Sequence, residues 1–194
     1  NTSEGDIDTI CVVPRFINRE KHFFGDLVNV LRSNPKVENL IPVINSKVPI
    51  IKMIFDKIDI DISFAQLDMN SFTDDLDLSD NKLLINMDEK SCKSLNGRRV
   101  ADMILKSVPN PENFRIFLRC IKLWAKNKGV YSNVMGYLGG VSWAILVAKI
   151  CQMYPNLKTN RLIQKFFKIY SKWDWATIPV KIEEIIEEPT NPKN

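Results

Sequence analysis

The sequence contains one histidine in 194 residues, His22, and four cysteines, Cys11, Cys92, Cys120 and Cys151, that stand far apart with no CxxC pair. That spacing offers neither a zinc signature nor a disulfide framework. The cysteines read instead as small buried apolar residues of a reducing compartment. His22, beside Phe23 in an expected helix, reads as a surface or packing residue. No apolar run is long enough for a membrane span: the longest, VMGYLGGVSWAILVA, stops at Lys149 and holds two adjacent glycines, which reads as a buried helix. No secretory leader opens the chain. Neither charge dominates, with 27 Lys and Arg against 23 Asp and Glu for a net charge of +4. The isoelectric point near 8.8 permits a polyanionic partner without requiring one. Hydrophobic residues make up 45% and charged residues 26%, ordinary values for a globular protein able to bury a core. The length suits one large domain or two small ones.

The order of elements points to two halves. Residues 6–13 read as a strand, with Ile10, Cys11, Val12 and Val13 apolar and β-favouring and Pro14 ending it. Asn18 is placed to cap a helix in which Phe23, Leu27, Val28 and Leu31 recur at helical spacing. VPIIKMIF (48–55) and IDIDISFA (58–65) read as a hairpin closed by Asp56-Lys57. In its second strand Ile58, Ile60 and Ile62 face one way and Asp59, Asp61 and Ser63 the other. SFTDDLDLSD (71–80) reads as a surface loop. Helices are expected over 91–107, from the Asn110-Pro111-Glu112 start to about Lys128, and over 139–153 and 160–172. Strands stop before residue 108 and helices continue alone, so an α/β half is expected to precede an all-helical half. No internal repeat is visible. Both ends look cut, and the expectation is a piece of a longer protein.

The stretch GDIDTICVVP carries the first chemistry. Asp6 and Asp8 are two apart in a strand and share a face, as do Asp59 and Asp61. Two carboxylates ~4 Å apart repel by about 4 kcal/mol at an effective dielectric near 20. A divalent cation offsets this most directly, and magnesium prefers such carboxylate oxygens while keeping waters and substrate phosphates as its other ligands. If the two strands are neighbours, three carboxylates converge, a set able to hold two metals ~3.5–4 Å apart. Acidic residues at strand ends are common, and spacing alone does not decide whether Asp59 or Asp61 is the third.

From this point the residues resemble a family. GDIDTICVVPR (5–15), VPIIKMIFDKIDIDISFAQLD (48–68), SLNGRRVADMIL (94–105), FRIFLRCIKLWAKNKGVYSN (114–133), GYLGGVSWAILVAKICQMYPN (136–156) and KFFKIYSKWDW (165–175) resemble, in order, the eukaryotic poly(A) polymerases of the DNA polymerase β-like nucleotidyltransferase superfamily. The resemblance implies an α+β fold, a mixed nucleotidyltransferase sheet with helices over 1–108 and part of an all-helical central domain over 109–194. It implies a nuclear enzyme that adds AMP from ATP to RNA 3′ ends, in concert with cleavage and polyadenylation factors and without a membrane. Asp6, Asp8 and Asp61 match the catalytic aspartates that bind two Mg2+ or Mn2+ ions, while Asp59 falls where the family varies.

Further roles carry over one by one. Lys122 and Tyr131 match residues that contact the ATP triphosphate, where a lysine offsets charge developing on pyrophosphate. Asn96 matches a residue near the ribose, and Asn133, Gly140 and Val141 match the segment beside the bases. Val48 and Lys52 match positions lining nucleotide and primer. Each has a plainer reading: Lys122 is one of several cations on its helix, Asn96 a turn residue, and the glycines of GYLGG permit close packing and make no dinucleotide fingerprint. Arg161, Lys165, Lys168 and Lys172 form a basic stripe, with Phe166, Phe167 and Tyr170 expected to turn inward. A solvated face is its default reading and contact with an RNA backbone the alternative.

The chain departs from the family in lacking the Gly-Ser motif that precedes the first aspartate and the C-terminal RNA-binding domain. Lys47 stands where relatives often carry an aromatic, and KIEEIIEEP (181–189) is matched here to no segment of the family. Two other functions remain alongside: a related nucleotidyltransferase acting on tRNA or a small molecule, and a non-catalytic RNA-binding relative.

Overall fold

The computed structural model describes residues 7–182, so Asp6 and all but the start of the acidic segment 181–189 lie outside it. The chain divides into two compact units, with the division between Arg99 and Val100.

The first unit is built on four strands, β1 (Ile7–Val13), β2 (Val37–Val43), β3 (Ile50–Phe55) and β4 (Ile58–Gln66), arranged β1-β4-β3-β2. β1 runs parallel to β4, whereas β3 is antiparallel to both of its neighbours. The alternation of IDIDISFA is what makes β4 a strand with two unlike faces. The hairpin between β3 and β4 turns on Asp56 and Lys57, both at positive φ (50° and 68°). Positive φ at both central residues is the turn whose twist matches the flanking strands, and it is adopted here without glycine. β2 has no counterpart in the sequence reading. Its alternation is broken by a bulge between Glu38 and Ile41, where Asn39 takes φ 50°, and by Pro42. A proline is tolerated because β2 is an outer strand of the described sheet.

One face of the sheet buries Ile51 and Phe64 against Phe23 and Val28. Asn18 caps the covering helix as expected, accepting a hydrogen bond from the Lys21 amide at 2.9 Å. The helix is not uniform: Arg19–Leu27 winds in the wider π form before α1 (Val28–Ser33) resumes the α form. The phase still holds Phe23, Leu27, Val28 and Leu31 to the core. The opposite face packs Ala65 with Leu67 and with Leu95 of α2 (Glu89–Lys106). The 71–80 segment does run irregularly, but Phe72, Leu76 and Leu78 insert into this second cluster. Arg99 holds it further by donating to the carbonyls of Leu78 (2.7 Å) and Asp80 (3.1 Å).

A polar clamp joins these elements. Asp88 caps α2, accepting from the amides of Lys90 and Ser91. The Arg19 guanidinium donates to both Asp88 oxygens (2.8 and 3.0 Å) and to Ser91 Oγ (2.8 Å), and it lies over the Phe64 ring. The fully buried Ser91 accepts in addition from the β4 amide of Gln66. Burial pushes the Asp88 carboxyl up, but hydrogen bonds from Ser91 and Arg19 and the guanidinium charge outweigh it and leave the group below its ordinary value.

The second unit is helical. α3 (Pro111–Asn127) starts where Asn110 accepts from the Asn113 amide at 2.9 Å, and α4 (Gly140–Met153) and α5 (Thr159–Tyr170) follow. Phe117, Ile121 and Ala125 of α3 pack with Val147 and Ile150 of α4 and with Leu162 and Phe166 of α5. α4 is buried as the apolar run implied. Two expectations are corrected. Phe166 and Tyr170 turn inward, but Phe167 is 37% exposed and packs edge-on against Trp124 on the outside of the core. Cys151 is buried, and burial pushes its thiol up to about 11, but Cys120 is exposed because its place on α3 faces away from the α3 core residues. The mixed sheet with helices followed by a helical unit is the α+β arrangement expected. No described helix is long and apolar enough to cross a membrane.

Replacing Lys57 by glycine relieves a left-handed residue and should stabilise the first unit by about 0.5–1 kcal/mol, read as a higher urea midpoint. Asp88→Ala should cost about 1–2 kcal/mol at neutral pH through loss of the cap. Because the folded carboxyl titrates below its ordinary value, this contribution is present above the unfolded pKa and is lost as pH falls through the folded one. The two proteins should therefore converge in stability in strong acid, and a difference that persists there would contradict the account.

Candidate active site

The parallel register of β1 and β4 sets Asp8 directly opposite Asp61, and the antiparallel register of β4 and β3 sets Asp61 opposite Lys52. Residues in register project from the same face, so the three side chains form a row across three strands. Asp59 is opposite Ile54, nearer the hairpin turn. Side chains tie β1 and β4 at this point: Thr9 Oγ1 donates to the Asp61 carbonyl (3.2 Å), and Ser63 Oγ donates to the Thr9 carbonyl (3.0 Å). Lys52 Nζ lies 2.6 Å from Asp61 Oδ2, and the Asp61 side chain is only 18% exposed. Asp8 is exposed. Asp6, the first residue of the expected trio, lies outside the described residues, and among those described no three His, Cys, Asp or Glu side chains converge.

The row opens on a cavity of about 530 Å3 bounded on one side by Asp8, Asp61, Ser63 and Val48. Lys93, Ser94, Gly97 and Arg98, from successive turns of α2, bound the other. Gly97 is a helix-interior glycine at which an added Cβ would meet nothing within 4 Å, so its bareness serves the open space and not helix packing. The donor set suits a divalent cation: hard carboxylate oxygens from adjoining strands face open space, with one ammonium already offsetting part of their charge.

The sequence-expected residues do not all gather here. Val48 lines the cavity and Lys52 pairs with Asp61, but Asn96 is exposed and is not among the lining residues. Lys93 and Arg98 were not singled out from sequence. The signal was the helical period around the LNG triplet, which carries 93, 94, 97 and 98 to one side.

The other expected residues belong to the helical unit and do gather there. A Cβ built on Gly140, the first residue of α4, would stand 3.3 Å from the Tyr131 hydroxyl and 3.5 Å from Lys122 Nζ. One built on Gly139 would stand 3.5 Å from Asn133 Cβ. The bare glycines therefore let the start of α4 approach Lys122, Tyr131 and Asn133. Gly139 provides no side-chain cap, and uncapped amides at a helix start favour an anion. Val141 follows on the first turn, 54% exposed. Lys126, for which sequence reading assigns no specific role, has its Nζ 5.7 Å from the centroid of the Tyr131 ring. Burial first, and the neighbouring Lys126 charge second, hold Lys122 below the ordinary lysine range.

Comparison with known proteins accords with this geometry. Residues 1–108 match the poly(A) polymerase nucleotidyltransferase domain, and residues 113–194 match the poly(A) polymerase central domain. The chain is 48% identical over 183 residues to nuclear poly(A) polymerase 2 of Arabidopsis thaliana, covering 94% of this chain and 23% of that protein. It is 51% identical over 171 residues to the poly(A) polymerase of Dictyostelium discoideum (88% and 21%). It is 47% identical over 184 residues to poly(A) polymerase PAPalpha of Candida albicans (95% and 33%). The chain thus spans between about a fifth and a third of these relatives. With a mixed sheet that sets two of the expected aspartates side by side, and domain matches that run in order along its length, the chain belongs to the poly(A) polymerase family.

Proposed function

We propose that the protein containing this chain is a template-independent polynucleotide adenylyltransferase, adding AMP from ATP to the 3′ ends of RNA, messenger RNA in particular. Residues 1–108 are its catalytic domain and 109–194 part of its central helical domain. The observation that carries the reading is the cross-strand register of Asp8 and Asp61 at the mouth of an open cavity. Relatives named as nuclear poly(A) polymerases support a nuclear location, and work alongside cleavage and polyadenylation factors follows from the same reading.

In this reading Asp6, Asp8 and Asp61 hold two Mg2+ or Mn2+ ions. Such ions, when bound, supply activation of an attacking hydroxyl and neutralisation of charge on the reacting phosphate. The remaining work falls to side chains. Lys52 shares the charge of Asp61 and keeps that carboxylate turned into the row. Val48 offers an apolar wall to nucleotide or primer. Lys122 and the Tyr131 hydroxyl, with the start of α4 brought close by Gly140, receive the triphosphate and stabilise the departing pyrophosphate. Asn133 and Val141 lie beside the base, and Asn96 serves the ribose.

Extension of an oligo(A) primer by the full-length protein, offered each nucleoside triphosphate in turn, tests the assignment. ATP should be preferred, and Asp8→Ala and Asp61→Ala should each lower kcat by at least about a thousandfold, an electrostatic loss of roughly 4 kcal/mol. Undiminished extension by both variants would remove the assignment, and extension confined to tRNA ends or small acceptors would move it to another substrate class.

Lys122 adds a pH signature. A lysine held below its ordinary range loses its charge earlier as pH rises. KM for ATP should therefore climb on the alkaline side before an ordinary lysine would titrate, and Lys122→Arg should move that climb to higher pH.

A further inference from the structure

The basic stripe of α5 is only partly a uniform solvated face. Lys165, Lys168 and Lys172 border a second cavity, of about 440 Å3, closed by Tyr154, Ile169, Trp173 and Ile178. Arg161, one turn earlier on the stripe, is not among its lining residues and hydrogen-bonds Gln164 instead. Lys165 Nζ lies 4.7 Å from the centre of the Tyr154 ring. Trp173 is fixed by donating its Nε1–H to the Ile178 carbonyl at 2.8 Å and by packing on Tyr170.

Asp174 is the one acid among the described residues lining it. Its two oxygens accept from its own turn, from the Ala176 amide at 3.2 Å and from the Thr177 hydroxyl, and the Thr177 bond holds its carboxyl below the ordinary range. Among the described residues none of the three lysines forms a salt bridge. Three cations thus face one groove, the rim acid is engaged elsewhere, and two aromatic rings stand among them.

We propose that this groove binds the backbone of single-stranded RNA, and so forms a substrate track on the helical unit separate from the residues assigned to ATP. The proposal rests on the polymerase reading for the identity of the polyanion, and charge complementarity is what selects it. Lys165 and Lys168 stand about one turn apart on α5, and Lys172 follows just past its end at Tyr170. Cations interleaved with aromatic rings are the combination that holds a single strand with little regard to sequence, phosphates on the ammonium groups and bases against the rings. An acidic protein segment would make use of the lysines but not of the rings.

The test uses the full-length protein with lysines 165, 168 and 172 changed together to glutamine. A second variant, Lys168→Gln with Lys172→Gln, retains the half-buried Lys165 in case the triple variant folds poorly. Anisotropy of labelled oligo(A) is followed against NaCl. Binding at about 0.1 M salt should weaken roughly tenfold to a hundredfold in the triple variant, and the slope of log K on log salt should become shallower by about two, as expected for three phosphate contacts on a single strand. The double variant should fall between it and wild type, and Lys→Arg at the same sites should restore both quantities. In primer extension KM for RNA should rise while kcat at saturating primer and KM for ATP stay put.

Unchanged affinity and salt slope in both variants would overturn the groove while leaving the polymerase reading intact. Conversely, a wild-type protein that extends no primer but whose oligo(A) binding falls on lysine removal would overturn that reading and support the groove. If polyglutamate binding falls in step with that of oligo(A), the groove belongs to an acidic protein segment and the RNA assignment fails.

Discussion

The site depends on the pairing of β1 with β4. That ladder is the only one in the described sheet whose strands run parallel, and it places one carboxylate against another with no residue between them. Such a pairing opposes folding through charge repulsion, and the protein meets it in two ways. The next strand supplies Lys52 at 2.6 Å, and the row stands at the mouth of a cavity and not in the core. The apolar ladder behind it, Cys11 beside Phe64 and Val12 beside Ala65, supplies the burial that holds the register regardless of the charges. A slip of β4 by one residue would send Asp61 to the opposite face and Ile62 towards the cavity.

Much of this was legible in the sequence because period-2 and period-3.6 patterns report burial directly. IDIDISFA could only bury its isoleucines by turning Asp61 the other way, and Asn110-Pro111-Glu112 marked a helix start from local chemistry alone. β2 was not legible: a bulge and a proline break its alternation. The π winding over Arg19–Leu27 leaves hydrophobic spacing nearly unchanged, so the same pattern serves either form. Phe167 shows the limit of helical phase. The sequence places it beside Phe166 on an apolar side, but the aromatic ring of Trp124, itself outside the core, gives it a partner without burial.

Site residues were legible unevenly for a physical reason. Asp8, Asp61 and Lys52 lie on strands, where register converts spacing into contact. Lys93, Gly97 and Arg98 acquire meaning only when α2 is laid beside the sheet, and nothing local in their spacing announces a cavity. The glycines at 139 and 140 are similar. From sequence they indicate close packing, whereas in the fold the close neighbours are a lysine nitrogen, a phenol oxygen and an asparagine. The same bareness that allows packing allows a helix start to meet polar groups.

Pro42 and the bulge beside it have a consequence for the isolated molecule in solution. An exposed strand is a template onto which further chains can add, the first step towards fibrils and insoluble assemblies. A proline there removes a donor from the ladder, and the kink at Asn39 bends the row of carbonyls out of line. On the β2 side of the described sheet, recruitment of another β-segment is thereby disfavoured.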